Sequence, residues 1–290
     1  MSTTCLPDVS SVRVEYEQHP HTGIVYFRAP ESFQRKEPSA LSTRDLAIIR
    51  SVYSCRLMKA GQIERLHFQE SKDPNTRARI CRRVLKRLVG QDVLRRRERR
   101  IGGIRAGSAS FIYSLGPKGA RVVTDRRLHY YVRDPSDYFM EHTLALAELY
   151  VALHEQNRAG TFELLELQTE PGCWRPFLTL ATGKQILKPD MFVRFGVGND
   201  ELSYFIELDR GTTYKTSLLR KLRVYESYYL TGREERQYGI FPQVLWVVPT
   251  AKRKSMLEEL CALFNERIPG LFAVTTKDRT IEAMAEPEPP

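Results

Sequence analysis

The sequence predicts an α+β protein built from two domains. Three observations support this fold class: amphipathic helices and a hairpin pattern in a basic N-terminal region, a polar connection after them, and helices alternating with strands in the remainder. The 290 residues, 42% of them hydrophobic, are enough to bury two cores. We expect an extended or disordered arm over residues 1–38, a first domain over 39–124, a linker over 125–138, a second domain over 139–278 and a disordered tail over 279–290.

Positive charge is concentrated in one part of the chain. Residues 35–105 hold 20 Lys and Arg against 7 Asp and Glu, a net charge of +13, so the rest carries −3 of the total of +10. A local excess of this kind is typical of a surface that binds a polyanion, because neutralising phosphates releases condensed counterions. An ordinary solvated charged face is the alternative interpretation.

Three helices are predicted in this basic region. The first begins near Leu41, where Ser42 and Asp45 form a capping-box pattern, and the second spans about 59–68. The third, over about 76–89, repeats apolar residues every four positions and carries cations on the opposite side. The expected packing residues of this third helix are Ile80, Val84 and Leu88.

A basic hairpin is predicted after the third helix. The run from Arg95 to Arg100 precedes a Gly102-Gly103 turn signal, and residues 110–115 form the return strand. Three helices followed by such a hairpin match the winged helix-turn-helix, whose third helix enters the major groove of double-stranded DNA. RNA or protein contacts through the same surface remain alternatives. The candidate DNA-binding residues are Arg79, Arg82, Arg83, Lys86, Arg95, Arg96, Arg97, Arg99 and Arg100.

The second domain is predicted to be α/β, and its informative feature is a pair of carboxylates on neighbouring strands. The expected elements are a helix at 141–156, strands at 162–167, 190–195 and 203–209, a helix at 213–230, a strand at 244–248, a helix at 252–266 and a strand at 272–275. If two strands pair antiparallel about the turn at 196–200, Phe195 faces Leu202 and Asp190 lies opposite Glu207.

Two carboxylates on directly opposite strand residues require a counter-charge. Their repulsion is about 4 kcal/mol at an effective dielectric constant of about 20. Magnesium is the expected counter-ion, because oxygen ligands suit it and it lowers the pKa of bound water for attack on a phosphodiester. Lys188, Lys215 and Lys221 are the lysines considered for stabilising the phosphate. Strand-terminal solvated carboxylates and a turn at Asp209 are the alternative, purely structural interpretation. The candidate catalytic residues are Asp190, Glu207, Asp209, Lys215 and Lys221.

These residues resemble two known groups of proteins. Pro189-Asp190 with Glu207 resembles the PD-(D/E)xK phosphodiesterase superfamily, which implies a restriction-endonuclease-like α/β domain with Mg²⁺ on an Asp and a Glu. Its third signature residue is normally a Lys two positions after the Glu, where this chain has Asp209. Catalysis would then need a lysine from elsewhere, Lys215 or Lys221. A helix glutamate often completes such sites, so Glu148 joins Asp190 and Glu207 as an expected metal ligand.

A more specific resemblance covers residues 41 to about 265. The segments Leu41–Asp45, Tyr113–Gly119, Pro189-Asp190 and Glu207–Thr212, together with His142 and the stretch 221–225, look like the replication-relaxation family of plasmids and integrative elements. The resemblance implies a role in replication or maintenance of mobile DNA. It leaves two hypotheses open: a DNA-binding protein that nicks or cleaves DNA with Mg²⁺, and a non-catalytic initiator or regulator on a degenerate nuclease fold.

Three further expectations concern partners and location. Five scattered cysteines without a C-x-x-C pair, and no apolar stretch of membrane-spanning length, indicate a cytoplasmic protein without a membrane partner. A homodimer or a replication-protein partner is considered, although no heptad pattern indicates one. Tyr225, Tyr228 and Tyr229 are interpreted either as core residues or as strand-binding contacts, with a nucleophile as a third reading.

Overall fold

The computed structural model describes residues 15–18, 25–28, 41–97, 111–123, 136–179 and 183–285. Two short strands come first, β1 (Glu15–Gln18) and β2 (Val25–Arg28), and they pair antiparallel. They fall in the segment expected to be an extended arm, the rest of which lies outside the described residues. Within the described part of the chain, no helix has the length and apolar content needed to cross a membrane.

The basic region folds as helices packed on a small sheet. Its elements are α1 (Thr43–Cys55), β3 (Met58–Lys59), α2 (Ala60–His67), α3 (Pro74–Gly90), β4 (Leu94–Arg97), β5 (Ile112–Leu115) and α4 (Pro117–Val123). Helix α1 starts with the expected capping box of Ser42 and Asp45, and Asp73 caps α3 ahead of Pro74. The strands form an antiparallel sheet in the order β3-β5-β4. The expected three helices and hairpin are therefore present, while the Gly102-Gly103 turn lies outside the described residues.

The packing face of α3 differs from the expected one. Cys81, Leu85 and Leu88 are buried, whereas Ile80 and Val84 are only partly buried. Repeats of exactly four residues drift around the helix by about 40° at each step, so only Leu88 of the 80-84-88 row is fully buried. The i, i+4, i+7 row of Cys81 follows the helix axis more closely and fills the core instead.

The second half of the chain forms a mixed sheet between helices. Its elements are α5 (Asp137–Ala159), β6 (Glu163–Thr169), β7 (Arg175–Thr179), β8 (Gly183–Leu187), β9 (Met191–Val197), β10 (Asp200–Leu208), α6 (Lys215–Tyr229), α7 (Arg233–Tyr238), β11 (Gln243–Val248), α8 (Ala251–Asn265), β12 (Phe272–Thr276), a 3-10 turn (Lys277–Arg279) and α9 (Thr280–Ala285). The five-stranded sheet has the order β12-β11-β10-β9-β6. Strands β6, β9 and β10 are antiparallel neighbours, and β10, β11 and β12 run parallel.

Each face of this sheet has its own apolar core. Alternation along β10 sends Ile206 into the core shared with α5 and the N-terminal helices, and Phe205 into the core shared with α6 and α8. Glu207 has the same parity as Phe205 and therefore points to the α6 side. The strand period thus decides which helix can supply partners to Glu207.

Several elements were not expected, and two boundaries move. The elements absent from the sequence-based prediction are the β1-β2 pair, β3, α4, the β7-β8 hairpin, α7, the 3-10 turn and α9. The disordered tail predicted from residue 279 is wrong over Thr280–Ala285, because α9 buries Met284 and the Tyr204 hydroxyl donates to the Met284 carbonyl over 3.2 Å. Residues 286–290 lie outside the description. Helix α5 begins at Asp137, so the last two residues of the predicted 125–138 linker are helical.

Candidate functional site

Glu207 is a buried carboxylate near the end of β10. Its side chain is 1% exposed. The Tyr225 hydroxyl donates to one carboxylate oxygen over 2.6 Å, and the Lys221 ammonium forms an ion pair with the other. Both partners come from α6, four residues apart and therefore on one face of that helix. Lys221 keeps about a third of its side chain exposed, 34%, so it connects the buried carboxylate with solvent.

Asp190 lies beside Glu207, as the predicted register requires. The turn at Gly198 and Asn199 joins β9 and β10, Phe195 pairs with Leu202, and Met191 with Ile206 is the last pair. The Asp190 amide then donates to the Ile206 carbonyl over 3.1 Å. In return, the Leu208 amide donates to the Asp190 carboxylate over 2.8 Å. The expected juxtaposition of the two carboxylates at the end of the hairpin is confirmed.

His142 brings a second helix to the site. Its Nε2 lies 3.5 Å from an Asp190 carboxylate oxygen, and its side chain is 21% exposed. It sits in the second turn of α5, which packs on the opposite face of the sheet from α6. We name Asp190, Glu207, His142, Lys221 and Tyr225 the polar cluster.

Burial and neighbouring charges act in opposite directions on the two carboxylates. Burial, reinforced by the Asp190 charge, raises the pKa of Glu207 to about 8 although Lys221 lowers it. Burial also raises the pKa of Asp190, but the bond with His142, the Lys221 charge and the Leu208 amide outweigh it, so that pKa lies below its usual value. The environment thus separates the two acids, since it raises the pKa of Glu207 and lowers the pKa of Asp190.

The two cationic members respond to the same carboxylates. Burial lowers the pKa of Lys221, but the charges of Glu207 and Asp190 raise it by more, so the pKa of Lys221 lies above its ordinary value. Burial likewise lowers the pKa of His142, and the bond with Asp190 reverses that effect, so the net direction is also upward. Lys221 is therefore the counter-charge of the cluster near neutral pH, and His142 adds to it when protonated.

The remaining predicted site residues have other partners. The Arg253 guanidinium donates to both Asp209 carboxylate oxygens, from Nε over 2.6 Å and from Nη2 over 3.2 Å. The Gly211 amide donates to the same carboxylate. Glu148 accepts from Gln62 over 2.9 Å and pairs with Arg65, which places it at the contact between α5 and α2. Lys215 and Lys188 are exposed. Of the predicted lysines, the structure brings Lys221 to the carboxylates.

The cluster as arranged does not fit a divalent cation. The magnesium expectation rested on the need of two carboxylates for a counter-charge, and Lys221 and His142 supply it. Both Glu207 oxygens already accept from protein donors. Among the described residues, no three His, Cys, Asp or Glu side chains come together as a metal site. Glu148, the expected third ligand, is engaged elsewhere because its position on α5 faces α2.

The polar cluster lies at the junction of the two halves of the chain. Arg56, directly after α1, pairs with Glu170 over 3.1 Å, and Thr169 donates to the Ser54 carbonyl over 2.6 Å. Between them and His142 is a cavity of about 30 Å³, large enough to hold a water molecule. The Glu170 charge also contributes to raising the pKa of His142.

The predicted DNA-binding cations are mostly on the surface. Those that are exposed are Arg79, Arg82, Arg83, Lys86, Arg95 and Arg96. Arg97 is half-buried, and Arg99 and Arg100 lie outside the described residues. The Arg96 guanidinium stands 4.3 Å from the centre of the Phe111 ring. The cationic face of α3 is thus presented to solvent, as predicted from its helical spacing.

Sequence reasoning underestimated two members of the cluster. His142 entered only through the family resemblance, since nothing in a helix sequence reveals that one turn reaches across the end of a sheet. Tyr225 was interpreted as a core or strand-binding residue. It is fully buried, and its hydroxyl donates a hydrogen bond to Glu207. The four-residue spacing of Lys221 and Tyr225 on an amphipathic helix was the available signal.

Fold and site together define a mixed α+β protein with an exposed cationic helix and a buried carboxylate–lysine cluster at a sheet end. The chain belongs to the replication-relaxation family, whose model matches residues 49–244, more than half of its length. No curated protein and no solved structure matches the chain. The family suggests a role in the replication or relaxation of plasmids or mobile elements.

We predict that Lys221→Met lowers the free energy of unfolding by about 1–3 kcal/mol at pH 9, less than the loss of a fully buried pair because Lys221 is partly exposed. The folded-state pKa of Glu207 lies above its ordinary value of 4.5. Stability from this group is therefore full below about pH 4.5 and falls as pH rises towards 8. Removing Lys221 raises that pKa further, so the deficit should shrink at pH 5, where Glu207 is protonated.

Urea unfolding at pH 5, 7 and 9 measures this difference. Lys215→Met is the matched control, because Lys215 is an exposed lysine of the same helix and its loss should stay within about 0.5 kcal/mol. Equal deficits for Lys221→Met at all three pH values would contradict the proposed charge pairing.

Proposed function

We propose that this chain is a DNA-binding protein that acts in the replication or relaxation of a plasmid or mobile element. Its N-terminal unit would be a winged helix-turn-helix. The observation that carries the proposal is the exposed cationic face of α3, formed by Arg79, Arg82, Arg83 and Lys86.

The order and pairing of the elements support this assignment. A helix, a short strand, two helices and a two-stranded hairpin follow one another, with the three strands in one sheet. In winged-helix proteins the third helix enters the major groove and the hairpin lies along the backbone. Arg95 and Arg96 are exposed on the first hairpin strand, next to α3 in sequence, so both surfaces can meet one duplex.

Packing holds α3 in place without using the exposed cations. Its buried row faces the core, and Arg87, which lies outside the cationic face, pairs with the buried Asp45 over 2.6 Å. Arg82, Arg83 and Lys86 are therefore available for phosphates and base edges.

We expect the triple variant Arg82→Gln, Arg83→Gln, Lys86→Gln to bind duplex DNA at least about tenfold more weakly at 0.1 M salt. Each lost phosphate contact removes about one released counterion, so the slope of log affinity against log salt should also fall by about 2–3. Fluorescence anisotropy of a labelled duplex, titrated at several salt concentrations, measures both quantities.

A matched variant removes three exposed lysines elsewhere: Lys184→Gln, Lys252→Gln, Lys277→Gln. It changes the net charge equally and should leave affinity within about twofold and the slope nearly unchanged, because these residues lie outside α3. If both triple variants weaken duplex binding equally, the effect comes from overall charge, which would contradict the assignment of the binding surface to α3.

The second candidate function is phosphodiester cleavage by a restriction-endonuclease-like α/β domain. It is favoured by one observation, the meeting of Asp190, Glu207 and Lys221 at the end of the strand hairpin. Asp190 would orient His142, which can accept a proton from the attacking water as the water oxygen bonds to phosphorus. The bond from phosphorus to the leaving sugar oxygen would break in the same displacement, that oxygen would take a proton from solvent, and the exposed part of Lys221 would stabilise the phosphate oxygens. No step of this proposal depends on a metal ion.

Incubating supercoiled plasmid with the protein in Mg²⁺, Mn²⁺ or EDTA tests this candidate. We expect nicking that is lost in Glu207→Gln and Lys221→Met and retained in Lys252→Met, which removes an exposed lysine of α8. Nicking in EDTA would show that the reaction needs no metal ion, whereas nicking only with metal would contradict the metal-free step. Intact plasmid in every arm, with duplex binding preserved, would leave a DNA-binding protein without this chemistry.

A further inference from the structure

Two tyrosines expose large aromatic surfaces near the polar cluster. Tyr138 is 50% exposed and Tyr214 is 82% exposed. The tyrosines considered as strand-binding contacts are different: Tyr225 and Tyr228 are buried core residues, and Tyr229 is partly buried against the same core. A solvated ring on a rigid helix end loses little conformational entropy on contact with a flat ligand, since it has two side-chain torsions.

The two rings lie at the N-terminal ends of the helices that supply the cluster. Tyr138 precedes His142 by four residues on α5, so the two share one side of that helix. Tyr214 is the N-cap of α6, the helix that carries Lys221. Arg210, which contacts the Tyr138 ring, lies four residues before Tyr214 in the connection from β10 to α6.

Cations accompany the aromatic rings. The Arg210 guanidinium stands 4.7 Å from the centre of the Tyr138 ring, donates to the Tyr138 carbonyl over 2.9 Å and pairs with Glu141. The Lys188 ammonium, next to Pro189-Asp190 in sequence, lies 4.5 Å from the centre of the Trp174 ring. Exposed Lys215 follows Tyr214 directly. Asp137 and Glu141 are acidic residues at the same helix end that oppose this pattern, and Arg210 already neutralises Glu141.

We propose that this surface binds single-stranded DNA, with bases stacked on Tyr138 and Tyr214 and phosphates near Lys188 and Lys215. We name it the aromatic rim and define it by Tyr138, Trp174, Lys188, Arg210, Tyr214 and Lys215. The inference rests on the proposed DNA-binding function and adds a second, strand-selective surface to it. It makes the aromatic rim the route by which an unpaired strand reaches the polar cluster.

Physical chemistry favours a single strand over a duplex here. Bases in a duplex are stacked on each other, so their faces are closed to protein rings, whereas unpaired bases expose them. Stacking tolerates every base because each has a π face, and neighbouring cations follow the phosphates. The cationic face of α3 has no exposed aromatic side chain among its defining residues Arg79, Arg82, Arg83 and Lys86, so the two surfaces should select different forms of DNA.

Binding of a fluorescein-labelled 12-nucleotide mixed-sequence DNA strand, followed by anisotropy, tests the inference. The double variant Tyr138→Ala, Tyr214→Ala should bind the strand at least about tenfold more weakly, given the usual effect of removing a stacking ring. Duplex binding by the same variant should stay within about twofold of wild type. Tyr138→Phe with Tyr214→Phe keeps the rings and should retain single-strand affinity, which separates stacking from hydroxyl contacts.

Tyr238→Ala is the matched control. Tyr238 is also partly exposed, 37%, and also has an arginine, Arg194, 5.7 Å from its ring centre, but it lies at the end of α7. Its variant should bind the strand as wild type does. Circular dichroism and thermal unfolding of each variant separate lost contacts from lost folding. If the Ala variants unfold, Tyr138→Gln with Tyr214→Gln at a lower temperature provides a second form that lacks the stacking rings and keeps the net charge.

The outcomes distinguish this inference from the function on which it rests. Unchanged single-strand affinity in the folded Tyr138→Ala, Tyr214→Ala variant, while the α3 triple variant loses duplex binding, would overturn the aromatic rim and leave the proposed function standing. Absence of binding to either form of DNA by wild type would overturn both. Tighter binding of an RNA strand of the same sequence would overturn the assignment to DNA.

Discussion

The environment of the Glu207 carboxylate is the constraint on which the end of the sheet depends. Strand alternation turns this group into the core shared with α6, where an isolated charge would be costly. Lys221 and Tyr225, on one face of α6, each donate to one of the two Glu207 oxygens, and the strand hairpin places Asp190 beside this carboxylate. The position and rotation of α6 on the sheet are therefore tied to one polar contact within an otherwise apolar interface.

Helix α5 connects this site to the basic N-terminal unit. Arg65 of α2 donates through Nε to Glu155 over 2.8 Å and pairs with Glu148, and Arg158 donates to the Arg65 carbonyl over 2.9 Å. The same helix reaches Asp190 through His142 near its other end. One buried core also includes residues of both halves, from Ile48 of α1 to Val247 of β11. DNA held by α3 would thus be anchored on a unit packed directly against the helix that supplies His142.

Most of the local architecture could be predicted from the sequence, because caps, turns and apolar periods are encoded over a few residues. The Phe195–Leu202 register follows from the turn at Gly198, and it predicts that Asp190 and Glu207 lie together at the strand ends. The choice between Lys215 and Lys221 required the position of α6 on the sheet, which is a tertiary property. Glu148 failed as a cluster member for the same reason, since the phase of α5 is set by Arg65 and Gln62 across the interface.

The account predicts most directly that Glu207 remains protonated well above the usual range of carboxyl groups. Carbon-detected NMR of the side-chain carboxyls, with the Glu207 signal assigned by its loss in Glu207→Gln, follows this titration in the full chain. A midpoint near the pKa of about 8 would support a buried acid balanced against Lys221. A midpoint near the ordinary pKa of 4.5 would show that burial does not raise the pKa of Glu207 and would contradict the central role given to the buried carboxylate.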